Sequence, residues 1–450
     1  MAATVTYKLK KLLAQELLND ITDSASAIYY AGIGRSEDWN ASDAAPTPVN
    51  NERNARNALL SMQSVKRITD YTFTIPRYNW STGTTYTAYD DNIASITDNK
   101  YYVLTDQNAV YLCVNNAKDT NGVAQTSTVK PTGTPNKAFT TSDGYTWKFL
   151  YSLGALDATK FLAANYMPVE FFDSAQITAV STVQETQQAM ISHAAIGGQI
   201  SSIIMTANGS GYTSNPTVAI VGNGSSAAAT VSARTGNQIN NIEMTNDSSA
   251  LGSGYTKAYI KITGGGGTGA KARAVITPKL GLGNDPRDEL RSTAIMFNTK
   301  PDGLENNDFI IGNDFRQVSL LKNPLIADSS GSFEGASGMV LRRLNLTAGH
   351  SGFAVDQVVV GGTSGAKGFV DYLDDSNHAY YHGADSDGFL VPFTNGETLT
   401  TVPAGGTGTL FQDSSQDVEP LSGDVLYIDN RAAVIRSASQ AEDIKIIVQV

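Results

Sequence analysis

The chain has 450 residues, 41% hydrophobic and only 17% charged, with 32 Lys and Arg against 43 Asp and Glu for a net charge of −11. That apolar share excludes a disordered chain. The acidic balance leaves no electrostatic footprint for nucleic acid, whose binding rests on neutralising phosphates. Abundant Gly, Thr, Ser, Asn and Tyr favour turn-rich β-structure with polar, mostly uncharged faces. Such surfaces suit large assemblies, where charge is depleted from buried contacts. No apolar run approaches the roughly 20 residues that span a bilayer. The early apolar residues are spaced rather than continuous, so no signal peptide is expected and the chain reads as a soluble, cytoplasmically made protein. The single cysteine, Cys113, lies in the strand-like run Val110–Val114, excludes an internal disulfide and reads as a buried thiol.

In chain order, Leu9, Leu12, Leu13, Leu17, Leu18 and Ile21 form a helical stripe over 7–21. Its lysines come early and its acids late, against the macrodipole, so it depends on packing. Residues 50 to about 67 read as a second helix with a cap-capable start. From Tyr71 the pattern is β: Thr72, Phe73 and Ile75 up to Pro76, then a hairpin of 101–104 and 110–114 about Asp106–Asn108. Tyr145, Trp147, Phe149 and Tyr151 alternate with polar or apolar neighbours, which predicts a strand with its odd positions on one face. Asp285-Pro286 predicts a helix start, with the carboxylate as cap and proline in the first turn. Strands are expected at 295–297, 318–321, 423–428 and 444–450.

Between about 197 and 275 one short β-module is written twice. Gln199-Ile200-Ser-Ser-Ile203-Ile-Met205-Thr206 returns as Gln238-Ile239-Asn-Asn-Ile242-Glu-Met244-Thr245, and Gly-Ser-Gly-Tyr-Thr occurs at 209–213 and 252–256. Each copy then alternates (Val218 and Ile220; Ile260 and Ile262) and enters a glycine run. Two strands bracketing a glycine turn, used twice, describe a building element rather than an active site. A second glycine-rich stretch covers about 327–412.

Five segments in order, Gly34–Trp39, Ile75–Trp80, Asp143–Leu150, Phe315–Leu325 and Ser422–Arg431, followed by the terminal run Ile444–Val448, resemble the gene product eight family of baseplate wedge proteins in T-even-type contractile-tailed phages. The resemblance covers about 28–175, 290–326 and 418–450; the tandem repeat, the second glycine-rich stretch and the N-terminal helix lie outside it. It implies a mainly β protein with a few short helices. With the two glycine-rich stretches set apart by composition, the chain reads as a discontinuous β-sandwich-like body (1–177, 283–326 and 418–450) carrying two inserted β-modules (178–282 and 327–417). It implies a structural, non-enzymatic role in the virion tail baseplate, assembled in the host bacterial cytoplasm. Partners would be other wedge subunits and a second copy of the chain, with no cofactor, nucleic acid, membrane or small-molecule substrate. The alternative is a tail receptor- or glycan-binding module, in which exposed Tyr212 and Tyr255 stack on sugars.

Within the matched segments Arg35, Arg77, Arg316 and Arg431 each stand beside an aromatic or an acid. Each reads either as an inter-subunit contact or as an internal bridge that pins a loop. Trp39, Trp80 and Trp147, with Tyr145, anchor either a core or a contact; Asn430 completes the candidate set. His378 and His382 lie four apart among Asp374, Asp375, Asp385 and Asp387, but the surrounding residues read as strand and turn, which separates them and argues against a metal. No nucleophile elbow and no phosphate-binding loop occurs, so no catalytic residue is expected.

Overall fold

The aromatic run forms the spine of a four-stranded antiparallel sheet. Thr146–Ser152 pairs with Ala109–Asn115 on one side and with Phe139–Thr140 on the other, and Tyr102–Leu104 extends the sheet beyond Ala109–Asn115. Tyr145, Trp147 and Phe149 share one buried cluster with Tyr86, Tyr111 and Cys113. A bulge at Leu150 breaks the alternation, so Tyr151 leaves that cluster and its hydroxyl donates to Pro168 O at 2.8 Å. The hairpin turn closes where predicted, with Asn108 at φ 56° and Thr105 N–H donating to Ala109 O at 2.9 Å. The protein is mainly β with a few short helices. The computed structural model describes residues 3–23, 27–172, 175, 177–179, 181–245, 250–374, 377–403 and 405–450.

The chain divides into two compact units: Met1–Gln15 with Thr72–Met296 and Gln449–Val450, and Glu16–Tyr71 with Phe297–Val448. The matched segments therefore do not share one unit. Ile75–Trp80 and Asp143–Leu150 belong to the first, and the other three to the second.

The first unit holds the aromatic sheet and the tandem repeat. The helix Val183–His193 opens on a capping box between Thr182 and Glu185 and gives Ile191 to the aromatic cluster. The repeat proper begins after it, and its two ends meet: Thr277 N–H donates to Gln199 O at 2.9 Å. The two copies interlock about a pseudo-two-fold axis. The first strand of copy one, Ile200–Ser210, pairs with the last strand of copy two, Thr268–Ile276, while Gln238–Met244 pairs with Ala229–Thr235. The middle strands Thr217–Gly222 and Ala258–Thr263 pair with each other, with Val218 opposite Ile262 and Ile220 opposite Ile260.

This exchange explains the Gly-Ser-Gly-Tyr-Thr motif. The Tyr212 ring lies where a Cβ on Gly265 or Gly267 would stand, and the Tyr255 ring where one on Gly222 or Gly224 would stand. Each copy's tyrosine thus occupies room cleared by the other copy's glycine run. The backbone repeats the relation: Tyr212 N–H donates to Asn237 O at 3.0 Å and Tyr255 N–H to Gly198 O at 2.9 Å.

The second unit holds a five-stranded antiparallel sheet in the order Ser337–Met339, Met62–Arg67, Tyr29–Gly34, Asp314–Lys322, Asp424–Ile435. Its second glycine-rich stretch closes into a six-stranded barrel, Arg342–Leu346 through Thr407–Ser414, filled by Leu344, Val359, Val370, Tyr381, Leu399 and Leu410.

Two helices depart from expectation. The second helix starts at the Asn51 cap but spans only Glu52–Leu60, and Met62–Arg67 is a strand. Inward-facing Val65, wholly buried between two neighbouring strands, gains more from the sheet than from another helical turn. In the helix Tyr7–Thr22, Ala14 and Ile21 are buried, whereas Leu9, Leu12 and Leu13 of the stripe stay exposed. The start at Asp285 is as read: its side chain accepts from Arg287 N–H at 3.0 Å, and Lys11 reaches its carboxylate at 2.8 Å.

Candidate functional site

The candidate residues gather in two places. Arg35, Trp39, Arg316, Asn430 and Arg431 meet at one end of the five-stranded sheet, although they come from three segments nearly 400 positions apart in the chain. Arg35 holds a left-handed backbone at φ 66°; its N–H donates to Ser61 O at 2.8 Å and its carbonyl accepts from Arg316 N–H at 2.9 Å. So pinned, its guanidinium lies 4.1 Å from the Trp39 ring centre and 3.0 Å from Glu37. Trp39 Nε1 donates to Arg431 O at 2.9 Å, and Asn430 Nδ2 donates to Pro46 O at 2.9 Å.

Arg316 is the organising charge. Nearly buried, it reaches Asp38 at 2.6 Å, Asp43 at 2.8 Å and Asp314 at 2.6 Å, and donates to Ser36 O. Its hydrogen bond holds the Asp43 carboxyl below the usual range. Burial raises Asp314 despite the same guanidinium. A five-donor fork meets this geometry where a lysine would not.

Beside it lies a group that the sequence did not single out as a pair. His382 is wholly buried, with Nδ1 2.6 Å from Asp371 and Nε2 2.9 Å from Glu37. Burial works to lower its pKa, but Asp371 and Glu37 override it and raise the value to about 10. Phe369 stacks on the ring at 5.2 Å. His378 instead bonds Asp374; Asp375 lies outside the described residues. The two histidines share a strand, where residues four apart stand roughly 13 Å from each other. Among the described residues no His, Cys, Asp and Glu group is arranged to hold a metal. Asp385 pairs with Arg53 at 2.7 Å and Asp387 with Lys367 at 3.8 Å.

The second gathering is the aromatic core. Trp80 packs against it half-buried, with Nε1 donating to Ser127 Oγ at 3.2 Å. Tyr145 and Trp147 are fully buried and stacked, centroids 5.5 Å apart, and the Tyr145 hydroxyl donates to Gln125 O at 2.6 Å. Arg77 donates to Ala163 O and to Asn79 Oδ1, both at 2.9 Å, and so pins a loop. Cys113 is buried in this core, and burial pushes its thiol well up, away from the reactive thiolate.

Of the four arginines, Arg77 and Arg316 are internal bridges; Arg431 is exposed and lies 3.2 Å from Asp429. The alternative reading's exposed, sugar-stacking Tyr212 and Tyr255 do not occur: both are buried, in room left by the other copy's glycines. Sequence reasoning also missed Arg436, which is almost fully buried and joins Glu442 at 2.9 Å and the Ile310 and Gly303 carbonyls. Only its side-chain surroundings, from residues up to 133 positions away, mark it out.

Among the described residues no helix is long and apolar enough to cross a membrane. Neither protein-family models nor curated proteins give a match to this chain.

Proposed function

We propose that the chain is a structural subunit of a contractile-tail baseplate wedge, acting by holding neighbouring wedge proteins, with a second copy of itself among its partners. The observation that carries this reading is the convergence of Gly34–Trp39, Phe315–Leu325 and Ser422–Arg431, three of the five resembling segments, on one partly exposed end of a sheet. That end adjoins the outermost strand, Asp424–Ile435, whose Leu426 and Ile435 are 49% and 67% exposed. An edge strand with exposed apolar side chains is a pairing surface unless something covers it. The rigid clasp of Arg316 and His382 beneath supplies the fixed geometry that an interface needs.

The test is assembly. The purified chain is weighed in solution by native mass spectrometry, alone and after mixing with candidate wedge subunits. A dimer that joins at least one of them, weakened by Arg431→Ala and Leu426→Asp, is the expected result. A monomer that joins none of them, or a preparation that turns over host polysaccharide, would end the proposal.

A further inference from the structure

The first unit contains a cavity of about 820 Å³, within the size range of small-molecule sites. One wall is the strand Thr146–Ser152 and the loops beside it; the other is the first strand of each repeat copy. Ile203, Ile242 and Leu282 give it an apolar side.

Its polar side carries Lys118, Lys137 and Lys148 against Asp143 and Glu243. Lys148 is 4% exposed, and its Nζ donates to Asn136 O at 2.6 Å; Lys118 Nζ donates to Asn241 Oδ1 at 3.1 Å. Both partners are neutral. The other charged groups on the lining are Lys137, Asp143 and Glu243. Asp143 spends its oxygens on Ser127, Thr128, Val129, Thr141 and Tyr145, and Glu243 accepts from Asn241 Nδ2 at 2.7 Å. Glu289, behind Lys148, takes Gly283 N–H at 2.5 Å, and burial raises its carboxyl to about 8, which weakens it as a counter-charge. Burial also lowers both lysines, Lys148 to about 8, against only partial restoration by Glu289 and Glu243. On the same lining, the Ser202 hydroxyl is buried without any partner. A buried donor left unmatched is costly, so such groups mark places where something else bonds.

We propose that this cavity binds a small organic anion, a carboxylate or phosphate on a partly apolar body, neutralised by Lys118 and Lys148 and hydrogen-bonded by Ser202. The chain carries a net charge of −11, so general attraction does not gather anions and the recognition is local. The wedge reading neither requires this site nor falls with it.

The test is calorimetric titration of the full chain at pH 8 with benzoate, with phenyl phosphate, and with benzamide as the neutral analogue. At least one of the two anions binds saturably at one per chain, which tells carboxylate from phosphate recognition, and benzamide does not bind. Binding takes up protons, read as a heat that changes between two buffers of different ionisation enthalpy, because an anion beside Lys148 restores its charge. Lys148→Met and Lys118→Met each weaken binding at least about tenfold, while Lys257→Met, at an exposed lysine outside the cavity, leaves it unchanged. Should Lys148→Met not fold, the proton uptake and Lys118→Met decide. Failure of both anions to bind at millimolar concentration, equal binding of benzamide, or binding indifferent to Lys118→Met overturns the proposal.

Discussion

The aromatic sheet of the first unit and the charged clasp of the second show two ways of fixing a β-framework. Around Trp147 the contacts are apolar, five aromatic rings lie within one cluster, and the polar atoms mostly reach backbone carbonyls. Such a core draws on buried area, which changes little with pH or salt. Around Arg316 and His382 the contacts are ionic, and their worth depends on each partner staying charged. One region tolerates conditions but not cavities; the other tolerates some loss of bulk but not of charge.

That contrast can be broken from either side. Trp147→Ala removes the largest fully buried side chain and is expected to cost about 3–5 kcal/mol. Hydrogen exchange of the 109–115 amides should report the loss. Arg316→Met keeps the bulk but strands Asp43 and Asp314; a loss on the order of 3 kcal/mol is expected in urea unfolding. The loss should shrink in acid, where those carboxylates gain protons.

The His382 clasp sharpens the comparison through pH. Its folded value lies above the ordinary 6.5, so its stabilisation is complete below about pH 6.5 and drains away as pH rises toward about 10. Melting of the second unit should therefore fall across that window, by at most about 1.4 kcal/mol per pH unit. His382→Gln should flatten the slope, and an unchanged slope in that variant would refute the assignment. Smallest of all, Arg431→Ala is expected to move stability by no more than about 0.5 kcal/mol, because its one ion pair is exposed. A null melting shift is what makes that variant a clean probe of assembly.

The two regions also differ in what a reader of the sequence can see. Alternating aromatics announce a strand because period two and residue type agree locally, and Asp285-Pro286 announces a cap for the same reason. The bulge at Leu150, which sends Tyr151 elsewhere, leaves no local mark. His382 and Glu37 lie 345 positions apart, so nothing near either one reveals the pair. Tyr212 and Tyr255 look like surface tyrosines beside glycine turns. Their burial follows only once the copies are seen to trade glycines. Arg35, Trp39 and Arg316 were legible as special residues, since guanidinium, indole and acid stood adjacent; which of them faces inward was not.

The interlocked repeat has one more consequence. The hairpin joining the copies turns at Gly236-Asn237, both with positive φ, and no atom crowds Gly236. Cleaving the chain there would produce two fragments, neither carrying the strand that completes its own sheet. Each would be sticky and incomplete until it met the other, so this small domain is in effect a two-part tag waiting to be split, with reconstitution as its signal.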